Sequence, residues 1–303
     1  MKKLSFRPTA CILCGSTKKN DYEVLFPANF SNQKIAELFS ARRLPDGIHY
    51  QIVKCKKDGQ VRSNPVLDEK TLAHFYKESQ FTYQHELTNL VDTYLRAINN
   101  VLPHLKKTDR ILEVGCGSGF VLAALHRLGF RRLAGAEPSK AAVEAADKSV
   151  KKNIIQKPFS VKLFPPKSFR FIFFLQTLDH ISNPEQFLKN CRTLLTPGGY
   201  ILSYHHNVES WSAKMLGERS PIFDIEHTYL YSHETTQKLF EKCGFEVVKV
   251  YSPVNTISLY HLLWLTPLPL TLKKEVLKEN AFLQKLRVPV PLGNTCVVAR
   301  KPY

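Results

Sequence analysis

The chain is short of acidic residues, of long apolar runs and of any regular cysteine ladder. Among 303 residues, 26 Asp and Glu stand against 43 Lys and Arg, for a formal net charge of +17. No stretch reaches the roughly 18 unbroken apolar residues that a membrane-spanning helix needs. The start, MKKLSFRPTACILCG, lacks the apolar core and cleavage site of a secretory leader. A cytoplasmic protein without a transmembrane segment is therefore expected. Seven cysteines at irregular spacing in a chain this long speak against a disulfide framework and leave reduced thiols or metal ligands. There is no internal repeat and no run of five like charges. Positive charge is spread along the chain and is densest in residues 267–303, with 7 Lys/Arg against 2 Asp/Glu. That distribution reads as a generally basic protein, with nucleic acid the less favoured partner.

What is present falls into three zones. Residues 1–67 hold two cysteine clusters, CILCG and KCKKDG, with strands expected at YEVLF and HYQIVKC, and read as a small turn-rich module. Residues 68–207 form a core preceded by a lid helix. From Gln84 onward the apolar residues Leu87, Leu90, Val91, Tyr94, Leu95, Ile98, Val101 and Leu102 recur every three or four positions, and Pro103 closes the run. Strand and helix then alternate: RILEVG, GFVLAALHRLGF, RRLAGAE, SKAAVEAADKSV, the continuous apolar strand RFIFFLQ, a helix capped by Asn183 with Pro184 in its first turn, and YILSYHH. Residues 208–303 add a helix capped by Ser232, the strands EVVKVYS and NTCVVARK, and between them the apolar, proline-broken insertion TISLYHLLWLTPLPLTLKK, read as a cap on the acceptor side. The alternation predicts an α/β fold with a doubly wound sheet.

In such a sheet the loop after the first strand faces the ligand crevice. Here it is GCGSG, with Gly115, Gly117 and Gly119. Phe120 and Leu122 break both frames of the dinucleotide fingerprint G-x-G-x-x-G, and no Gly-Lys-Ser/Thr completes a P-loop. The stretch ILEVGCGSG resembles the glycine motif of class I S-adenosylmethionine-dependent methyltransferases. LAGAEPS and the stretch FLQTLDHISNPEQFLKNCRTLLTPGGYIL follow in that family's order. The resemblance covers about residues 84–303 and implies a Rossmann-like seven-stranded methyltransferase sheet binding S-adenosylmethionine. Carried over by position, it places Glu113, Gly115, Cys116, Gly117, Gly119, Glu137, Pro138 and Gln176 around the cofactor, with Glu137 on the ribose hydroxyls. The pattern departs from the family at Arg170, where an Asp is usual, and in NIIQKPFSVKLF, which has no acidic residue for the adenine amine.

Cys11 and Cys14 have the spacing of a zinc knuckle, and Cys55 with Asp58 occupies the place of a second pair. CILCG followed by IVKCKKDGQVRSNP resembles the zinc-binding module ahead of a bacterial group of saccharide and small-molecule methyltransferases. Two readings stay open: zinc held by Cys11, Cys14, Cys55 and Asp58, or a metal-free ribbon. Cys191, Cys243 and Cys296 sit in apolar patterns and read as core. The segment SAKMLGERSPIFDIEHTYLYS also looks like this group. Its His227, with His180 of the LDH stretch, is the candidate catalytic imidazole near the acceptor, since imidazole takes a proton near neutral pH. His205 and His206 end a strand with no motif behind them and rank lower. The resemblance thus implies a methyltransferase acting on a small-molecule or saccharide-type acceptor. Two other readings remain, an RNA base methyltransferase and a catalytically degenerate methyltransferase-like binding protein. Oligomeric state is not legible.

Overall fold

The computed structural model describes residues 4–30, 47–78, 87–264, 266 and 281–303. Gln84 and most of the proline-rich part of the insertion, 267–274, lie outside these residues. The chain begins with β1 (Phe6–Arg7), β2 (Tyr22–Phe26), β3 (Ile52–Cys55), β4 (Val61–Ser63) and β5 (Val66–Leu67). Strand β3 starts at Ile52, three residues after the expected beginning at His49. The helices α1 (Glu69–Glu78) and α2 (Leu87–Ile98) follow, the latter ending before Pro103, which sits in a separate short turn.

The alternating region then gives β6 (Ile111–Val114), α3 (Phe120–Arg127), β7 (Leu133–Ala136), α4 (Lys140–Glu144), β8 (Ile154–Ile155), β9 (Phe169–Leu175), α5 (Pro184–Leu194) and β10 (Leu195–His206). Helix α4 stops far short of the alanine-rich run expected from SKAAVEAADKSV. Asp147 ends it, accepting the backbone N–H and hydroxyl of Ser149 at 2.8 and 2.7 Å and so supporting a turn in place of the next helical hydrogen bonds. The α5 start is as expected: the Asn183 side chain accepts from the Gln186 N–H at 3.1 Å with Pro184 behind it. TPGG does not separate α5 from the next strand. It belongs to β10, which begins at Leu195 and shifts register against β9 between Leu195 and Tyr200.

The remaining elements are α6 (Trp211–Leu216), β11 (Tyr229–Leu230), α7 (His233–Lys242), β12 (Glu246–Tyr251), β13 (Asn255–Ser258), α8 (Leu259–Trp264), α9 (Ala281–Lys285), β14 (Arg287–Val290) and β15 (Asn294–Arg300). Ser232 caps α7 in a reciprocal capping box with Thr235. The expected insertion contributes β13 and α8. β13 pairs with β14 and leans on α2 through the Thr93 hydroxyl, which accepts the Thr256 N–H at 2.9 Å.

The main sheet has seven strands in the order β12-β15-β10-β9-β6-β7-β8. All run parallel to β6 except β15, which pairs antiparallel with both β10 and β12. This is the α/β, Rossmann-like sheet expected from the alternation. Strand β9 shows why the apolar pattern had to be continuous. Phe171, Phe173 and Leu175 join the core beneath α2 and α3, while Phe169, Ile172 and Phe174 join the opposite core beneath α5 and α7. A strand covered on both faces has no solvent side to carry polar residues. Cys191, Cys243 and Cys296 are buried in these cores.

A second sheet, β11-β4-β3-β2, joins the beginning of the chain to its later half, because β11 comes from residues 229–230 and pairs with β4. Ile12 packs into the core beneath α7, and Lys242 of that helix donates to the Ile12 carbonyl at 2.8 Å. Among the described residues, no helix is long and apolar enough to cross a membrane.

Candidate functional site

The order of the strands reverses between β6 and β9, and in an open sheet the ligand crevice forms at the carboxyl ends of the strands at that point. Gly115, Gly117 and Gly119 lie there with φ of +69°, +54° and +66°, a conformation that L side chains rarely adopt. A Cβ added to Gly115 would stand 2.6 Å from the Thr177 hydroxyl, so the loop and the turn after β9 approach as closely as a glycine permits.

Glu137, at the end of β7, is nearly buried and ties this loop down. One carboxylate oxygen accepts the Gly117 N–H at 2.8 Å, and the other accepts the Ser139 N–H at 2.9 Å. A carboxylate has about four acceptor positions, so each oxygen retains capacity toward a ligand hydroxyl. Glu113 is buried at the end of β6, and Pro138 is half-buried beside Glu137. Cys116 has its side chain turned into the core. Its sulfur sits where β7 has no side chain: a Cβ on Gly135 would meet it at 2.7 Å. Only the backbone of Cys116 remains to face a cofactor.

Gln176 follows β9 with φ +50°, a strained conformation for a residue with a side chain. Its backbone N–H donates to the Tyr204 carbonyl at 2.6 Å and its side-chain amide donates to Asn294 Oδ1 at 3.0 Å. Asn294 in turn donates to Asn255 Oδ1 at 3.2 Å, which also accepts the Tyr204 hydroxyl at 2.9 Å. The turn that follows Gln176 is therefore held by β10, β13 and β15 together.

That turn carries Asp179 and His180, and the structure gathers two further histidines around it. The rings of His180 and His206 each lie 4.9 Å from that of His227. His227 is buried on the strap before β11, and its Nδ1 lies 2.8 Å from the Ile222 carbonyl. Because a carbonyl only accepts, Nδ1 carries the proton and Nε2 presents its lone pair. Burial lowers the pKa of His227, which favours this neutral form. Burial by itself would raise the pKa of Asp179, yet a 2.7 Å hydrogen bond from His206 Nδ1 and the surrounding imidazoles hold its carboxyl well below the usual range.

The sequence put His180 and His227 forward and ranked His206 with His205; the structure parts the last two. His205 is wholly buried, with its ring nitrogens 2.8 Å from the Ser203 hydroxyl and 2.9 Å from that of Thr236, and burial pushes its pKa down to about 4. His206 faces Asp179 across the strand ends. Strand register carries the signal that was missed. Tyr204 pairs with Leu175 in the parallel ladder, so the residues just beyond the two strands emerge at the same level.

The cysteine clusters form one group. A Cys14–Cys55 sulfur pair is 3.7 Å apart, and one Asp58 oxygen lies 3.6 Å from both the Cys11 and Cys55 sulfurs. Each half is a tight knuckle closed by a glycine N–H: Gly15 to the Cys11 carbonyl at 2.8 Å and Gly59 to the Cys55 carbonyl at 2.9 Å, with φ of +77° and +72°. Asp58 holds the position in the second knuckle that Cys14 holds in the first. Three thiols and a carboxylate, with ligand atoms all within 4.8 Å of one another, match the donor set and size of a tetrahedral zinc site.

Arg170 lies at the amino end of β9, away from the crevice, where it donates to the Pro197 carbonyl at 3.2 Å. The departure from the family pattern there touches no residue of the glycine loop.

Sheet order, glycine loop and strand-end carboxylate together place the protein among Rossmann-like α/β folds. A methyltransferase domain model matches residues 60–250, well over half of the chain, and the chain belongs to this methyltransferase family. An uncharacterised methyltransferase of Schizosaccharomyces pombe is 30% identical over 114 residues, covering 33% of this chain and 41% of that protein. A ubiquinone biosynthesis O-methyltransferase of Ralstonia nicotianae is 26% identical over 156 residues, covering 48% of this chain and 63% of that protein. The chain thus spans less than two thirds of either relative. A solved S-adenosylmethionine-dependent methyltransferase of Thermotoga maritima superposes with a TM-score of 0.47 at 18% identity, over 73% of this chain and 92% of that one.

Proposed function

We propose that this protein is an S-adenosylmethionine-dependent methyltransferase that methylates an oxygen of a small hydroxylated acceptor of the saccharide type. The observation that carries the reading is the Glu137 carboxylate, bonded at once to the Gly117 and Ser139 N–H groups at the mouth of the switch-point crevice. The cradle fits the cofactor: the loop after β6 has no side chain at Gly115, Gly117 or Gly119, and the carboxylate beside it suits a ribose diol. Family membership and relatives named as O-methyltransferases support the same chemistry.

When bound, S-adenosylmethionine supplies an electrophilic methyl group. Within that frame Glu137 holds the ribose, the backbone from Gly115 to Gly119 lines the cofactor with Glu113 and Pro138 beside it, and the Gln176 turn sets the floor. His180 and His227 serve as catalytic residues on the acceptor side, where an imidazole accepts the hydroxyl proton as the oxygen attacks. Placement in line and exclusion of water do the rest. Incubation with methyl-labelled S-adenosylmethionine and a panel of saccharides is expected to give a labelled ether, identified by mass spectrometry. His180→Ala is expected to slow turnover by about 100-fold with little change in cofactor affinity. Label appearing on nitrogen or carbon, or on structured RNA in preference to saccharides, would overturn the acceptor assignment.

The Cys11, Cys14, Cys55 and Asp58 group serves in this reading as a structural zinc site that clamps the first knuckle to α7 through Ile12. Elemental analysis is expected to find one zinc ion per chain, lost in Cys55→Ser and retained in Asp58→Cys. Chelation is expected to lower the melting temperature by about 5–10 °C, as the loss of a few kcal/mol does in a domain of this size. Zinc content unchanged by Cys55→Ser would remove the assignment.

A further inference from the structure

The Asp179 carboxylate sits wholly inside the protein, and among the described residues only one of its oxygens is bonded. Oδ2 accepts the ring Nδ1 of His206 at 2.7 Å and the backbone N–H of the same residue at 3.2 Å. Oδ1 is buried with no hydrogen-bond partner among the described residues. A buried acceptor left this way is destabilising, and such groups in native proteins call for a physical reason. Around this carboxylate stand two imidazoles. One ligand atom each from Asp179, His206 and His227 lie within 4.8 Å of one another. His227 already has the tautomer that a metal requires, since its Nδ1–H is committed to the Ile222 carbonyl and Nε2 is left as the donor.

The three residues come from three separate elements, and hydrogen bonds to their backbone hold two of those elements in place. The Thr228 N–H donates to the Asp179 carbonyl at 2.8 Å, and the Ser63 hydroxyl donates to the His227 carbonyl at 2.7 Å. The strap, the turn after β9 and the second sheet are therefore braced around the same point. This is the outer support that metal ligands ordinarily have. His206 is about a quarter exposed at its side chain, so the group opens on one side to solvent.

We propose that Asp179, His206 and His227 bind a divalent transition metal ion. Two imidazoles and one carboxylate, grouped with an open side, suit manganese, iron, cobalt or zinc in the divalent state better than magnesium or calcium, which favour all-oxygen sets. Asp179 is two residues from Thr177, whose hydroxyl lies against Gly115 of the glycine loop, so the ion would sit close to the crevice beside that loop. Its open positions would take two neighbouring acceptor hydroxyls, and the proton of the hydroxyl to be methylated would pass to His180 as the ion stabilises the oxyanion. This last role rests on the methyltransferase reading above; metal binding itself does not. With His227 engaged as a ligand, His180 is the imidazole left facing the acceptor.

Cobalt(II) separates this site from the cysteine group by its spectrum. Thiolate-bound cobalt absorbs intensely in the near ultraviolet by charge transfer, whereas a nitrogen and oxygen site gives only weak visible bands. Titration of the chelator-treated full chain with cobalt is expected to show both signatures. The weak visible bands should be lost in His206→Ala and in Asp179→Asn, with binding at that site weakened more than about ten-fold, and should persist in Cys55→Ser. Calorimetry with S-adenosylmethionine accompanies each variant: unchanged cofactor affinity in His206→Ala certifies an intact fold. Cobalt bound only with thiolate character in the wild type, or equal visible bands in wild type and a folded His206→Ala, would overturn the metal site. Cobalt binding as described without any cofactor binding would leave the metal site standing and sink the proposed function.

Discussion

Replacing Gly115 and Gly117 together by alanine is expected to abolish binding of S-adenosylmethionine in a calorimetric titration and to lower stability by about 3–6 kcal/mol. An alanine forced into the left-handed region costs about 1–2 kcal/mol at each position. At Gly115 the new methyl group would also lie 2.6 Å from the Thr177 hydroxyl and 3.0 Å from its methyl carbon, and relieving such overpacking takes a further one or two kcal/mol. Either the loop or the turn after β9 must retreat, and both form the crevice. Gly129→Ala is the control. It carries the same kind of strain, with φ +94°, but its added Cβ would have nothing nearer than 3.8 Å among the described residues and lies at the far end of α3. It should lose about 1–2 kcal/mol and bind the cofactor normally. Adding Thr177→Ala to the double variant should recover part of the stability, because it removes the two nearest atoms, without restoring affinity. Normal binding by the double variant would mean that the cofactor sits elsewhere.

Much of this arrangement was legible because local chemistry dictates it. RFIFFLQ had to be a strand buried on both faces, and the Asn183-Pro184 and Ser232 starts are satisfied by side chains of the same few residues that announce them. GCGSG named its own conformation, since three glycines in five positions are needed only where φ turns positive. What could not be read depends on register and on long-range pairing. His206 meets Asp179 only because β9 and β10 align Leu175 with Tyr204, and no feature of the run HH distinguishes the buried His205 from its neighbour. The pairing of β11 with β4 links residues 61–62 to 229–230, and strands of two and three residues leave no periodic trace. Helix α4 was overread for the opposite reason. Alanine content raises helix propensity along the whole segment, but a single Asp147-Ser149 turn ends it.

Glu137→Gln should weaken S-adenosylmethionine binding by about 100-fold, and Glu137→Ala by more, although neither removes a core side chain. The carboxylate accepts two backbone N–H groups, one from each loop. A glutamine in the same place offers one oxygen and one NH2, so either Gly117 or Ser139 would face a donor. One buried N–H would lose its acceptor, at a cost of about 1–3 kcal/mol, and the two crevice loops would no longer be bridged. The ribose hydroxyls would lose charge-assisted hydrogen bonds, roughly twice as strong as neutral ones. Alanine removes both acceptors and leaves two N–H groups unbonded. Adenosine, which has the ribose without the methionine chain, should suffer the same fold-loss as the whole cofactor if Glu137 acts through the ribose. If Glu137→Gln weakened the cofactor but left adenosine untouched, the carboxylate would be serving the shape of the loop alone and the ribose would be held by another group.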